Sequence, residues 1–271
     1  MRQQPKGNAF FYLGGAITLV MTLLILVGLV WTPYSPSAMD PAAMTCPPSP
    51  AHLLGTDNFG RDIFSRVLEG AGTSFLIAVG VVAIGCAAGT LIGALCGYFG
   101  GLPDLVLTRV CDAITAFPSF LLALVIVSVM GKGASNVVLA LGILFIPSFA
   151  RVVRGEFARC RDLNYIRSAR LMGVGNVRIL FCHILPNTRS VLLPALTIGF
   201  NNAILSEASM SYLGIGVQPT QPSLGSMLSD SQTYLGSAPW YALGVGGTMV
   251  LMILGFSLLS EGLQQRSRRS G

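Results

Sequence analysis

The chain has 271 residues, of which 52% are hydrophobic and 10% are charged, and its mean hydropathy is +0.69. A soluble domain carries roughly 25% charged residues, so this composition argues against a soluble enzyme and against a disordered protein. The net charge of +6 would point to nucleic acid as a partner of a soluble protein. In a membrane protein the same excess usually lies on the cytoplasmic rim.

Six apolar runs predict an all-α integral membrane protein with six spanning helices, because about 20 apolar residues cross a bilayer as one helix. The first run, 9–31, is too long for the apolar part of a typical signal peptide, so we expect an uncleaved anchor after a short segment, 1–8. The third and fourth runs flank Gly131–Ala134, which predicts a tight hairpin. The other five runs belong to a predicted core, 74–260, and are Ser74–Tyr98, Ala113–Met130, Ser135–Val153, Val191–Leu213 and Tyr241–Ser260.

The distribution of Lys and Arg predicts the orientation. With the N-terminus in the cytoplasm, fourteen of the 17 basic residues fall inside, and only Arg61, Arg66 and Lys132 fall outside. This bias follows the positive-inside rule, so the net charge reports membrane topology and we expect no nucleic-acid partner. The basic tail, 261–271, is then cytoplasmic as well.

The outer loop, 32–73, is too long to be a simple connection. Beyond its polar motif, the residues Ile63, Phe64, Val67 and Leu68 form an apolar stripe at helical spacing. We therefore predict a helix that lies in the membrane interface, or else a solvated surface helix, with Asp57 placed to cap its start. The motif residues that we single out are Gly55, Thr56, Asp57, Gly60, Arg61 and Asp62.

The inner loop, 154–189, predicts two short amphipathic helices that cannot span a membrane. The first is expected over 164–172, with Gly173 stopping it at the C′ position. The second is expected around Val177, Leu180, Phe181 and Ile184, and Pro186 is expected to end it. The pair is either a membrane-surface element or a docking element for a cytoplasmic partner.

Polar and small residues inside the runs indicate packing or a solute path. Glycines at spacing four share one helix face and allow close helix approach; a moving contact during transport is the alternative. Glu207 is ionisable at membrane depth and is a functional candidate by default; it either forms a structural hydrogen bond, lines the path or lies near the outer interface. Prolines at 118, 147 and 194 permit kinks, and Arg109 and Asp112 are spaced for a local ion pair. The glycines are Gly85, Gly89, Gly93 and Gly97, and the polar residues that we expect beside Glu207 are Asn201 and Asn202.

No motif for catalysis, a cofactor or a metal is found in the sequence. The chain has no G-x-x-x-x-G-K-[ST] loop for nucleotide phosphates, so ATP hydrolysis would have to come from a partner. His52 and His183 fall on opposite sides of the membrane in this topology, and the six cysteines show no C-x-x-C spacing. A secondary transporter, a channel and a membrane scaffold remain alternatives, although we find no clear inverted repeat.

Four segments occur in an order typical of one family. The inner loop reads Arg167-Ser168-Ala169, then Gly173, then His183-Ile184-Leu185-Pro186, and the outer loop reads Gly55 to Asp62 followed by Ser65-Arg66. Ala116-Phe117-Pro118 and the run Ser211–Pro219 are the other two. On these residues, from about His52 to Leu263, the chain resembles permease subunits of bacterial ABC importers of the dipeptide, oligopeptide and nickel class.

The resemblance implies a type I permease fold in the bacterial inner membrane and a set of partners. A second homologous permease completes the translocation path, two cytoplasmic ATPases dock below it, and an extracytoplasmic solute-binding protein delivers the solute. Peptides are the first expectation for the solute, and nickel or a metal chelate is the alternative. The implied coupling helix comprises Tyr165, Ile166, Arg167, Ser168, Ala169, Arg170, Leu171, Met172 and Gly173. Arg167 replaces the Glu of the family pattern, which reverses the charge at this position.

Overall fold

The computed structural model describes residues 6–218 and 220–270, with the side chains of 10–265, so Arg2 and Pro219 of the segments above lie outside it. The described chain is helical apart from its loops and one isolated antiparallel bridge between Thr56 and Asp62. Five of its helices are long and apolar enough to cross a membrane, and a bent helix pair, 101–115 with 119–130, makes a sixth span if the pair is counted as one. This arrangement agrees with the predicted six-span, all-α membrane fold.

The helices, in chain order, are α1 (Lys6–Val30), α2 (Ile63–Phe99), α3 (Gly101–Thr115), α4 (Ser119–Met130), α5 (Ala134–Cys160), α6 (Asn164–Leu171), α7 (Asn176–Arg178), α8 (Arg189–Tyr212), α9 (Leu224–Gln232) and α10 (Pro239–Ser270). Helices α2 and α5 pack along their length at the centre of the bundle, and α1 packs on α10. The α2 helix runs from the loop 32–62 to the end of the bundle that carries α6. We call this the α6 end, and the other the opposite end.

The predicted interfacial helix is wrong as a separate element, because it forms the first turns of α2. Its stripe is buried inside the protein rather than in a lipid interface, with Ile63 and Val67 0% and 4% exposed. The cap is also different: Asp62, not Asp57, is the N-cap, and its side chain accepts a hydrogen bond from Ser65 N. Asp57 instead binds within the loop before the helix.

The third span is broken at Pro118, where α3 and α4 meet at 82°. Proline has no N–H to donate, and Pro118 takes the N-cap position of α4 with an extended backbone. The predicted hairpin follows, since α4 ends at Met130 and α5 begins at Ala134.

The second inner-loop helix differs from its prediction. After α7 the chain forms a π-helix over Ile179–Ile184 and a 3-10 turn over Leu185–Thr188, and then continues into α8. Pro186 therefore does not end the helix but lies in its 3-10 turn. Of the predicted apolar face, Leu180 and Ile184 are 5% and 0% exposed, whereas Val177 and Phe181 are 70% and 50% exposed, and Ile179 is buried in addition.

Candidate functional site

The α6 helix is anchored to the bundle by two small or branched apolar side chains. Ile166 and Ala169 are 0% and 2% exposed, three residues apart on one face. They pack in a second hydrophobic cluster, separate from the main core, with residues of α2, α5 and the π-helix: Ala94, Tyr98, Val153, Phe157, Cys160, Ile179, Leu180 and Ile184. A small side chain at position 169 allows the helix to sit close to the bundle.

Polar contacts fix the same helix to α2 and to the 3-10 turn Leu185–Thr188. The Arg170 guanidinium lies 4.9 Å from the centroid of the Tyr98 ring, and Arg170 Nε donates to the Tyr98 hydroxyl at 3.3 Å. That hydroxyl donates to Asn176 Oδ1 at 2.8 Å. On the other side of α6, Asn187 Nδ2 donates to the Tyr165 hydroxyl at 3.2 Å. The helix is thus held at several points along its length.

The end of α6 is a Schellman motif, as the sequence predicted for Gly173. Gly173 has a φ of +77°, its N–H donates to Arg170 O, and Val174 N donates to Ala169 O. Both orphan carbonyls of the last turn are therefore paired. The sharp exit leaves the next residues free to turn back toward the bundle.

The exposed surface of α6 and its C-terminal end carries both apolar and basic side chains. Leu171 and Met172 are 89% and 76% exposed, and Arg167 and Ser168 are exposed beside them. Large apolar side chains that remain exposed next to each other mark interaction surfaces. Anchored on one face and open on the other, α6 has the form of a docking element.

The four predicted glycines form the contact between α2 and α5. A Cβ at Gly89 would lie 2.6 Å from Phe149 Cβ, and one at Gly93 would lie 2.5 Å from Ala150 O. Gly85 and Gly97 lie similarly close to Phe145 Cβ and Arg154 O. These distances show that the glycines allow the two spans to pack closely.

A groove of about 480 Å³ opens between α4, α5 and α8. Its walls carry aromatic side chains, Phe120, Phe145 and Phe149, and four neutral polar ones. The polar side chains are Ser119, Ser148, Asn202 and Ser206. Asn202 is exposed on a spanning helix, where facing hydrocarbon would be unfavourable, so this face of α8 fits a water-filled path or a protein partner.

The three predicted interior polar residues do not share a face. Asn202 lines the groove, whereas Asn201 Nδ2 donates to Ser257 Oγ of α10 at 2.7 Å. Glu207 is 0% exposed and accepts a hydrogen bond from Ser211 Oγ at 2.7 Å. The predicted sharing was wrong because positions 201, 202 and 207 point to three different neighbours around α8.

The outer-loop motif folds into a compact, hydrogen-bonded loop at the opposite end. Asp57 is 1% exposed; its Oδ1 accepts from the backbone of Phe59 and Arg61, and its Oδ2 pairs with Arg61 Nε at 2.6 Å. Asp62 pairs with His52 Nδ1 at 2.9 Å. Thr56 accepts from Cys46 N. The motif therefore secures the loop to the start of α2.

Two glycines of this motif occupy positions that leave no room for a side chain. Gly55 and Gly60 have φ values of +72° and +74°. A Cβ at Gly60 would lie 1.8 Å from Asp40 O, and one at Gly55 would lie 2.5 Å from Cys46 O. Both positions thus require glycine for conformation and for space.

Charged contacts at this end continue onto α9. Arg66, which is 6% exposed, lies 3.6 Å from Asp57 Oδ2 and 4.0 Å from Asp230 Oδ2. Burial raises the pKa of the Asp230 carboxyl, and the nearby charge of Arg66 opposes the rise. At the α6 end, Asp112 pairs with Arg151 at 3.7 Å. The i,i+3 spacing had predicted a pair with Arg109, so that prediction was wrong.

Several functional contacts were missed from the sequence. Asp104 and Arg154 form a two-bond ion pair between α3 and α5, with Nη2 to Oδ2 at 2.8 Å. Tyr98 was not singled out, and the partner of Glu207 is Ser211 rather than the expected Asn201 or Asn202. No local spacing links Asp104 to Arg154 or Tyr98 to Arg170, and helix packing alone brings each of these pairs together, whereas Ser211 lies four residues after Glu207 on the same helix. Among residues 6–218 and 220–270, no group of three or more His, Cys, Asp or Glu side chains is placed to hold a metal ion.

Comparison with known proteins adds independent evidence. Residues 89–269 match the family model of the "Binding-protein-dependent transport system inner membrane component". The chain is 37% identical over 262 residues to the dipeptide transport system permease protein DppC of Alkalihalophilus pseudofirmus, covering 97% of this chain and 86% of that protein. It is 42% identical over 217 residues to the glutathione transport system permease protein GsiD of Pectobacterium atrosepticum, covering 80% and 72%.

The fold also has a solved relative. A chain of the MetNI methionine ABC transporter in an inward-facing conformation superimposes with a TM-score of 0.57 at 18% identity, covering 74% of this chain and 93% of that chain. The arrangement of spans and loops is thus that of an ABC transporter permease, a multi-pass membrane protein. The chain belongs to the family of inner-membrane components of binding-protein-dependent transport systems.

Proposed function

We propose that this chain forms half of the translocation path of an ATP-driven importer of short peptides. The observation that carries the proposal is the mounting of α6. Its buried face, Ile166 and Ala169, is packed on α2 and α5, and its outward face is open and apolar at Leu171 and Met172. A helix held in this way transmits a push from a partner directly into two spans.

The proposed solute is a di- or oligopeptide. The relatives that match most of the chain are named for dipeptide and glutathione transport, and glutathione is itself a short peptide. This favours peptides over nickel or a metal chelate. The groove supports the same choice, because its hydroxyl and amide side chains, such as Ser148 and Asn202, match the amide groups of a peptide backbone.

The proposed partners are a second permease, two ATPases and a solute-binding protein. The α6 end faces the cytoplasm in this proposal, as do both termini, in accord with the basic residues of the inner loop. The ATPases dock on α6, and the binding protein docks at the opposite end. Because Arg167 stands where the family pattern has Glu, we expect the ATPase to present an acidic or neutral group to it.

The proposal is tested with the complex reconstituted into vesicles. The chain is purified gently from membranes, and the subunits that accompany it are identified. Vesicles loaded with ATP are then assayed for uptake of a labelled dipeptide with the binding protein outside. Uptake that requires both ATP and the ATPase supports the proposal, whereas uptake by the chain alone without ATP would identify a secondary transporter instead.

The groove is tested in the same vesicles. Replacing Asn202 by Leu makes this part of the groove wall apolar and less favourable for water and for peptide amides, so we expect peptide uptake to fall. Leu193→Asn, at an exposed position of the same helix that does not line the groove, is the control for a changed α8 surface. Equal uptake by Asn202→Leu and the unmodified complex would remove the groove from the path.

A further inference from the structure

Glu207 is a buried carboxyl group that the proposed path does not use. It lies near the opposite end of α8, and its side chain is 0% exposed. Ser211 Oγ donates to Oε1 at 2.7 Å, while Oε2 is buried without a hydrogen-bond partner of normal geometry. A carboxyl group in such a place is unfavourable unless neighbouring polar groups compensate for the lost water.

Two serines from other elements face this carboxyl group. Ser74 of α2 and Ser223, the N-cap of α9, are both 0% exposed, and both hydroxyls approach Glu207. Ser74 Oγ accepts a hydrogen bond from Leu224 N at 3.2 Å, so its own proton is available to the carboxyl group. We call Glu207, Ser211, Ser74 and Ser223 the Glu207 cluster; it joins α2, α8 and α9.

The backbone around the cluster is packed without spare room. A Cβ at Gly225, in the first turn of α9, would lie 2.3 Å from Ala208 O of α8. A Cβ at Gly70 of α2 would lie 3.3 Å from the carbonyl carbon of Ser223. The first turn of α9 therefore sits directly on both neighbouring helices, and the hydrogen bond from Leu224 N to Ser74 Oγ joins it to α2.

The position of α9 matters because α9 lines a cavity that adjoins the groove. A second cavity, of about 370 Å³, is lined by Leu228 of α9 together with Phe120 and Leu205, and the last two residues also line the groove. The helical run that carries Glu207 starts at Asn176 near α6 and continues to Tyr212. One continuous helical run thus connects the α6 end to the place where α9 rests.

From this geometry we infer that Glu207 is a positioning residue for transport. It holds α9 on α8 and α2, so that α9 moves together with the helical run from Asn176 to Tyr212. The inference rests on the proposed function. Its buried polar contact with Ser74 and Ser223, rather than contact with the solute, is what it contributes. Glutamine at 207 retains a side chain of the same length with a donor and an acceptor, whereas leucine retains only the volume.

Hydrogen exchange of residues 224–232, followed by mass spectrometry on the assembled complex in nanodiscs, tests the holding role. We expect Glu207→Leu to speed exchange in this segment by about tenfold, as loss of a buried hydrogen-bonded group implies, and Glu207→Gln to stay within about twofold. Glu261→Leu and Glu261→Gln, at an exposed position of α10, are the matched controls and should change nothing in α9. Unchanged exchange in Glu207→Leu, or equal damage in both Glu207 variants, would overturn the inference.

Uptake of the labelled dipeptide by the same complexes tests the role in transport. We expect Glu207→Leu to lose most ATP-driven uptake with all subunits still bound, and Glu207→Gln to retain it. Faster α9 exchange with normal uptake would overturn the role in transport, as would lost uptake with unchanged exchange. If Glu207→Leu does not assemble, the double variant Ser74→Ala/Ser211→Ala is measured in its place. Absence of ATP-driven dipeptide uptake by the unmodified complex would contradict the proposed function instead, and the exchange result would still decide whether Glu207 holds α9.

Discussion

The Arg170 guanidinium lies over the ring of Tyr98, 4.9 Å from its centroid, and so joins α6 to the last turn of α2. Tyr98 is 5% exposed and also binds Asn176 through its hydroxyl group. The side chain is therefore a fixed point against which α6 and the following turn are placed. A partner that pushes on α6 would act on α2 through this contact.

The first prediction concerns the Tyr98 ring. A cation–π contact of this kind is worth about 0.5–2 kcal/mol, and the hydroxyl bonds add about 1 kcal/mol. We expect Tyr98→Leu to lower peptide uptake per ATP hydrolysed several-fold, and Tyr98→Phe, which keeps the ring, to lower it less. The measurement is the ratio of uptake to ATP hydrolysis in vesicles. Phe99→Leu, at the adjacent exposed position, serves as the control, and an unchanged ratio in Tyr98→Leu would show that this contact transmits nothing.

The second prediction concerns the contact between α2 and α5. A methyl group at Gly93 would lie 2.5 Å from Ala150 O and 2.9 Å from Arg154 N, both of which are backbone atoms that cannot rotate away. Overpacking typically destabilises by about 1–3 kcal/mol, so we expect Gly93→Ala to lower the unfolding temperature of the purified protein. Gly155→Ala, in α5 with open space around the position, should leave it unchanged or raise it slightly. Equal unfolding temperatures for the two variants would contradict close packing at this face.

The third prediction concerns Asp57 in the outer loop. Asp57 is buried against Arg61 and Arg66, so Asp57→Asn leaves two poorly solvated guanidinium groups without their main counter-charge. Breaking a buried pair in this way costs about 3–5 kcal/mol. We expect the loop 32–62 to become sensitive to protease in Asp57→Asn, with Asp40→Asn, at an exposed position, as the control. A loop that stays resistant would mean that the backbone contacts of the motif are sufficient.

The sequence predicted α6 well because the helix is short and its signals are local. The predicted apolar face comprises Tyr165, Ile166, Ala169 and Met172, and the structure buries Ile166 and Ala169 but exposes the other two. The predicted stop, Gly173, lies in the left-handed region. The spacing of the α2 glycines predicted a packing face for the same reason. Regular spacing and a terminating glycine are properties of a single segment.

Contacts between segments that lie far apart in the sequence could not be predicted from the pattern of a single segment. An apolar stripe such as Ile63 and Val67 fits a membrane interface or a protein interior equally, and only α2's neighbours decide which. In the π-helical turn Ile179–Ile184, Ile179 is buried together with the predicted Leu180 and Ile184, whereas the equally predicted Phe181 is exposed. Likewise, nothing near Glu207 in the sequence indicates Ser74 or Ser223 as its partners.

The fourth prediction concerns Arg167, which stands where the family pattern has Glu. The side chain is exposed on α6, so its contribution depends on what the ATPase places against it. If that group is acidic, Arg167→Glu introduces repulsion and weakens ATPase binding, more strongly at low salt than at high salt. Binding of the purified ATPase is measured at two salt concentrations, with Arg189→Glu, at an exposed position of α8, as the control. Tighter binding of Arg167→Glu would show a basic contact instead.

The central claim is that α6 is the cytoplasmic docking point of an ATPase, and a cross-link from position 171 tests it most directly. Leu171 is 89% exposed; Leu171→Cys is introduced where the six free cysteines have been replaced, and a thiol cross-linker is applied to inside-out membrane vesicles. We predict a cross-linked product that contains the ATPase subunit, together with protection of the introduced thiol from a membrane-impermeant maleimide added to intact cells. Labelling of this thiol from outside intact cells, with no ATPase cross-link in the vesicles, would contradict the account.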